Sequence, residues 1–191
     1  MFKLQIPLLL ASGSPRRKEI LHQAGFEFEV KIKNTDEVYP ADIPLQDVPQ
    51  YLAKLKAAAF DEESKSKIIL TADTVVILEN KILGKPKDAA HALEMLKSMS
   101  GKPHDVVSGF CIKYKNEEIA YSNHSKVYFK SFSDEELHYY IHNFKPFDKA
   151  GAYGIQEWIG LVGIERIEGS FYNVMGLPIH LVYKELMNIK A

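Results

Sequence analysis

An eleven-residue run, Ile68-Ile-Leu-Thr-Ala-Asp-Thr-Val-Val-Ile-Leu78, is apolar almost throughout, and it limits the possible fold more than any other feature of the chain. A strand with one wet face alternates polar and apolar residues, whereas one with so few polar positions has both faces covered. Covering both faces takes helices layered on a sheet, so the run predicts an α/β architecture. Its one charge, Asp73, is costly to bury without a metal, a cation or a ligand group beside it. An Asp near a strand end that bonds turn N–H groups is the plainer reading. Thr71 and Thr74, which surround it with a small polar island, favour a functional one.

A second constraint lies upstream. Leu8 to Ala11 reads as a short buried strand that runs through Ser12-Gly-Ser14 into a helix from Pro15 to Ala24, closed by Gly25. Ser14 fits the N-cap and Pro15 the first helical position, where its missing N–H costs nothing. Arg16 and Arg17 then fall in the first turn, where the helix dipole favours acids over cations. Two cations at that point call for an anion. Unpaired N–H groups, a small-residue loop and two guanidiniums suit a phosphate chain, because Arg grips phosphate oxygens bidentately.

The remaining elements follow from pattern. Phe26 to Ile32 alternates as a half-buried strand, and Pro44 to Glu63 holds a helix with Leu52, Leu55 and Ala59 on one face. A turn at Glu79-Asn80-Lys81 leads to Gly84-Lys-Pro86, then to a helix from Asp88 to Ser100. Val106 to Tyr114 and Ile119 to Phe132 form an antiparallel pair. Ser133-Asp-Glu-Glu136 is a capping box that opens a helix to about Phe144. The glycine-rich segment from Lys145 to Gln156 reads as a functional loop, Ile159 to Ile167 as a strand, and Leu177 to Met187 as a closing helix. The sum is a mixed α/β sheet flanked by helices, a single domain over residues 1–191, whose two lobes about a cleft divide near residue 100 without a linker.

Bulk properties exclude several classes. The formal net charge of −1 gives no broad positive field for nucleic acid, so phosphate recognition is local and the ligand small. The single cysteine, Cys111, sits in an apolar run and reads as a buried thiol. The N-terminal segment is too soon interrupted for a signal peptide, and no stretch approaches the length of a membrane span, which leaves a cytoplasmic location. The seven histidines show no metal-ligand spacing, and surface or capping roles suit them.

Among candidate site residues, Asp36 and Glu37 gain meaning only in company with Asp73, with which they would supply the oxygen ligands of a phosphate-bound Mg²⁺. Lys85, between Gly84 and Pro86, is better aimed than Lys56 on its alanine-rich helix. Gln156 carries an amide that both donates and accepts, as reading a base edge requires.

Six segments match a known pattern in order: Ala11-Ser-Gly-Ser-Pro-Arg-Arg17, Ala72-Asp-Thr-Val-Val76, Gly84-Lys-Pro86, Gly101-Lys-Pro-His104, Lys149-Ala-Gly-Ala-Tyr-Gly-Ile-Gln156 and Asn173-Val-Met-Gly-Leu-Pro178. Together they resemble the Maf family of nucleoside triphosphate pyrophosphatases across nearly the whole chain. The resemblance implies the elongated mixed α/β fold of inosine triphosphate pyrophosphatases, with a deep cleft between two lobes, and often a homodimer. It implies hydrolysis between the α and β phosphates, with a divalent cation, Mg²⁺ or Mn²⁺. It makes Asp73 the proton acceptor, puts Ser12, Arg16, Arg17, Lys56 and Lys85 on the phosphates, and assigns Glu37 and Asp73 to the metal. Arg16, Thr74 and Gln156 stand where the dTTP/UTP branch has its specificity positions, unlike the 7-methyl-GTP branch. Glu157-Trp158 departs from the pattern, in which a glycine commonly follows the glutamine. The alternative is a nucleotide-binding regulator of cell division or septum formation with weak catalysis. Such a sensor needs the cations but not Asp73.

Overall fold

The computed structural model describes residues 4–189. Its strands are hydrogen-bonded in the order β2-β1-β3-β5-β6-β7, and β4 pairs with β3 off that path. These strands are β1 (Leu8–Leu10), β2 (Glu29–Val30), β3 (Ile68–Leu78), β4 (Lys81–Leu83), β5 (Pro103–Tyr114), β6 (Glu117–Phe129) and β7 (Ile164–Glu168). The chain forms two compact units. One contains the residues up to Thr74, Ser108–Asn123 and those from Gly176 onward; the other contains Val75–Val107 and His124–Met175. The chain therefore passes between units four times, instead of dividing once near residue 100, because β3, β5 and β6 each run through both.

In the first unit β1 lies parallel to both β2 and β3, with Leu9 opposite Glu29 on one side and Ile69 on the other. Ile68 to Ala72 are all buried, as a strand covered on both faces requires. Helix α1 (Pro15–Gln23) begins where its cap predicts, with the Ser14 side chain accepting the Arg17 N–H. Helix α2 (Val48–Ala58) starts later than Pro44, because residues 44–47 form a separate turn in which the Asp47 N–H bonds to the Pro44 carbonyl at 2.8 Å. Phe60 ends it by leaving helical geometry and packing on Leu9 and Ile69; the short α3 (Asp61–Ser64) follows. Gly109 allows β5 to approach α2, since a Cβ there would lie 2.2 Å from the Gln50 nitrogen. The two-residue turn Lys115-Asn116 joins β5 to β6, a connection open only to antiparallel neighbours. The strand expected over residues 26–32 shrinks to Glu29–Val30, because its ladder partner β1 is itself three residues long. The closing helix is α8 (Ile179–Asn188).

In the second unit Glu79 and Asn80 adopt φ of 49° and 60°, the left-handed pair of a type I′ turn, and so return the chain as β4, a strand the sequence reading did not anticipate. Helix α4 (Ala89–Met99) packs on α5 (Asp134–Phe144), whose predicted capping box is complete. The apolar run from Ile159 splits into α6 (Trp158–Gly163) and then β7, antiparallel to β6. A non-alternating apolar run fits helix and strand equally, and only packing arbitrates. Helix α7 (Phe171–Met175) starts inside the expected turn over residues 169–173. No helix among the described residues is long and apolar enough to cross a membrane.

Candidate active site

The loop from β1 to α1 is folded by its own serines. The Ser14 N–H donates to the Ser12 hydroxyl at 3.2 Å, and the Ser14 hydroxyl accepts the Arg17 N–H at 3.5 Å. That cap turns the guanidinium of Arg17 inward. Its Nε donates to the Gly176 carbonyl at 2.9 Å, Nη1 to Ser12 Oγ at 3.4 Å, and Nη2 to Thr74 Oγ1 at 3.2 Å. Thr74 Oγ1 in turn lies 2.8 Å from the buried Ser108 hydroxyl. Gly176 has φ of 119°, a conformation that aims its carbonyl at Arg17 at little cost only without a side chain. Arg17 is thus braced by α1, β3 and the turn before α8, and three of its five N–H donors are used on protein acceptors among the described residues.

Asp73, one residue before Thr74 on β3, has its compensating cation. Lys56 on α2 lies 2.6 Å from Asp73 Oδ1 and 2.9 Å from Glu37 Oε1. The lysine and Asp73 side chains are 16% and 13% exposed, while Glu37 is 54% exposed. Burial lowers the proton affinity of the Arg17 guanidinium; the charge of Asp73 opposes this, that of Arg16 adds to it, and that of Glu37 opposes it. Asp73, Arg16 and Glu37 all lie within the electrostatic reach of Arg17. Ser12, Arg16, Arg17, Glu37, Lys56, Asp73 and Thr74 are gathered in the first unit. Asp36 is exposed beside them.

Two of the residues singled out in the sequence, Lys85 and Gln156, belong to the second unit, and both are exposed. Their loops are tied together: the Gly151 N–H donates to the Gly84 carbonyl at 3.0 Å. Lys149, the other cation of the glycine-rich segment, is buried between Asp148 and Glu157 at 2.7 and 3.0 Å.

Sequence reasoning passed over Ser108 and the Gly176 carbonyl. A serine inside Val-Val-Ser-Gly-Phe was the available signal for the first; a backbone carbonyl leaves none. Burial pushes the Cys111 thiol up to about 12, which keeps it protonated and unreactive. His104 departs from the surface role expected of the histidines. It is buried, with Nε2 2.8 Å from the Tyr153 hydroxyl, and burial holds its imidazole down to about 4.

No group of three or more His, Cys, Asp or Glu among the described residues forms a protein-only metal cage. Mg²⁺ asks for less, because it keeps several waters and takes one or two carboxylates together with substrate phosphates. Glu37 and Asp73, which converge on a single ammonium, are hard oxygen donors of that kind, and the donor set fits such an ion.

The family model described as Maf-like protein matches residues 7–189. A dTTP/UTP pyrophosphatase of Porphyromonas gingivalis is 50% identical over 183 residues, spanning 94% of this chain and 92% of the relative. Relatives of the same name from Flavobacterium psychrophilum, at 47% over 95% of this chain and 93% of the relative, and Bacteroides thetaiotaomicron, at 44% over 95% of each, are also similar. Among solved structures, the Staphylococcus aureus Ham1 protein superposes with a TM-score of 0.55 over 96% of this chain and 100% of that one; at 13% identity this is a likeness of fold. With a family match running almost end to end, the chain belongs to the Maf family.

Proposed function

We propose that this protein is a nucleoside triphosphate pyrophosphatase that hydrolyses dTTP and UTP to the monophosphate and pyrophosphate. The observation that carries the reading is Asp73, set in an apolar strand 2.6 Å from Lys56 and within the field of Arg17. Fold stability does not call for a carboxylate there, whereas water activation beside a polyphosphate does. The names of the relatives supply the substrate class.

Phosphoryl-group chemistry asks mainly for positioning and charge neutralisation. Arg16, in the first turn of α1, and Lys85 take phosphate oxygens. Arg17 contributes charge and, through its bonds to Thr74 and Gly176, the rigidity of the loop. Lys56 moves between its carboxylates and the phosphates as substrate charge arrives. Asp73 orients the attacking water and accepts its proton. A divalent cation held by Glu37 and Asp73 would neutralise phosphate charge and polarise the scissile bond. Thr74 and Gln156 discriminate the base. A homodimer, as the family resemblance implies, working in the cytoplasm completes the reading.

The test is pyrophosphate release from dTTP, UTP, CTP, GTP and 7-methyl-GTP, each with Mg²⁺, with Mn²⁺ and with a chelator. Pyrophosphate from dTTP and UTP, lost on chelation, is the expected outcome. Release of orthophosphate, or no turnover of any nucleotide, overturns the reading.

A further inference from the structure

The glycine-rich segment of the second unit holds a buried charge cluster for which the proposed chemistry has no use. Lys149 is 7% exposed, and its ammonium lies 3.0 Å from Glu157 Oε1. The other oxygen of Glu157 accepts a short hydrogen bond from the phenol of Tyr140, a side chain with no exposed surface. That phenol oxygen accepts the Gly154 N–H at 3.0 Å. The Glu157 N–H closes the loop on the Gly154 carbonyl, also at 3.0 Å, so residues 154–157 form one tight turn. A side chain at Gly154 would press on this arrangement, since a Cβ would sit 2.8 Å from the Glu157 carboxyl carbon and 3.1 Å from Gln156 Nε2.

Burying a lysine and a phenol, and half-burying a glutamate, to hold one turn is costly unless every partner is in place. A surface turn needs none of them. What this turn offers to solvent is Gln156, which lies between Gly154, whose N–H is held by the Tyr140 phenol, and Glu157, whose carboxylate holds that phenol. Burial raises the phenol of Tyr140 above its ordinary range and the bond to Glu157 raises it further, so it remains a donor.

We propose that Glu157 is a positioning residue for base selection: together with Lys149 and Tyr140 it fixes the turn that presents Gln156. The inference rests on the reading of Gln156 as the residue that meets the base. Affinity and discrimination should therefore depend on a carboxylate that does not touch the nucleotide.

Tyr140→Phe and Glu157→Gln test this. Each should raise the KM for dTTP about tenfold with kcat within about twofold, and lower the dTTP-to-CTP ratio of kcat/KM by a similar factor. Trp158, the chain's one tryptophan, follows Glu157 and packs on Tyr139 at 4.9 Å, so its emission should shift in both variants. The double variant Lys149→Met with Glu157→Gln removes both charges; it should recover the melting temperature lost by Glu157→Gln without recovering the base ratio. A folded Glu157→Gln protein with parental KM and base ratio overturns the proposal. If Glu157→Gln does not fold, Tyr140→Phe, which spares the ion pair, decides by the same criteria. Gln156→Ala separates the two levels. If it leaves the base ratio intact, or the parent releases no pyrophosphate, the assignment of Gln156 and the positioning role fall together. If Gln156→Ala shifts the ratio while Glu157→Gln and Tyr140→Phe do not, only the positioning role falls.

Discussion

Lys56 in the first unit and Lys149 in the second each lie between two carboxylates, yet the two clusters are built differently. Each has an exposed loop acid, Glu37 at 54% and Asp148 at 58%, and a largely buried one, Asp73 at 13% and Glu157 at 18%. Around Lys149 the buried acid is locked by the Tyr140 phenol, which also takes the Gly154 N–H, so lysine, acid, phenol and backbone form a closed set. Around Lys56 the acids come from a loop and from mid-strand, and the neighbouring charge is the braced Arg17. A closed polar network fixes geometry; a lysine outside such a network can trade its acids for an incoming phosphate or metal. The comparison teaches that similar ion-pair distances, 2.6 to 3.0 Å, can belong to a closed network in one unit and an open one in the other.

Four measurements break or sharpen it. Asp73→Asn should cut turnover by roughly 10²–10⁴-fold, the usual worth of a general base, and leave the thermal midpoint within about 4 °C. Pyrophosphate release beside calorimetry checks this, and turnover within about threefold of the parent removes Asp73 as base. Lys149→Met should do the reverse, costing roughly 3 kcal/mol in urea unfolding because the half-buried Glu157 loses its cation. A loss below about 1 kcal/mol would place this cluster with the exposed ion pairs.

Acid should also act through the second unit. His104 is held near 4 against an ordinary 6.5, so between these values the unfolded chain binds the proton that the folded chain refuses. Stability is then fully present above pH 6.5 and falls by about 3 kcal/mol as pH drops to about 4. Urea titrations across that window, with His104→Gln giving a flatter slope, test it. The smallest effect belongs to Glu37→Gln. Being exposed, it should change stability by less than about 1 kcal/mol while raising the Mg²⁺ needed for half-maximal turnover roughly tenfold. An unchanged Mg²⁺ requirement would release Glu37 from the metal.

Much of the fold was legible because its signals are local. The Ser14 cap with Pro15, the capping box at Ser133 and the apolar run of β3 each depend on neighbours within a few residues, and each appears where expected. The strand read over residues 159–167 failed in its first half because its apolar residues lack alternation, and contacts made elsewhere in the chain decided for helix. At the candidate site, Asp73 announced itself as a charge in an apolar strand. The bracing of Arg17 did not, since it runs through a carbonyl 159 residues away in sequence. Lys56 looked like the weaker lysine for the same reason: its partner Asp73 is brought to it by the packing of α2 against the sheet.

By itself the sequence determined the layered α/β plan, the helix that starts at Ser14 and the presence of an acid in a strand that should have none, because burial pattern and capping are written in adjacent side chains. The tertiary structure alone decided which cation meets which acid: Lys56 with Asp73 and Glu37, Lys149 with Glu157. Coulomb attraction and desolvation depend on separation in space, which sequence distance does not encode.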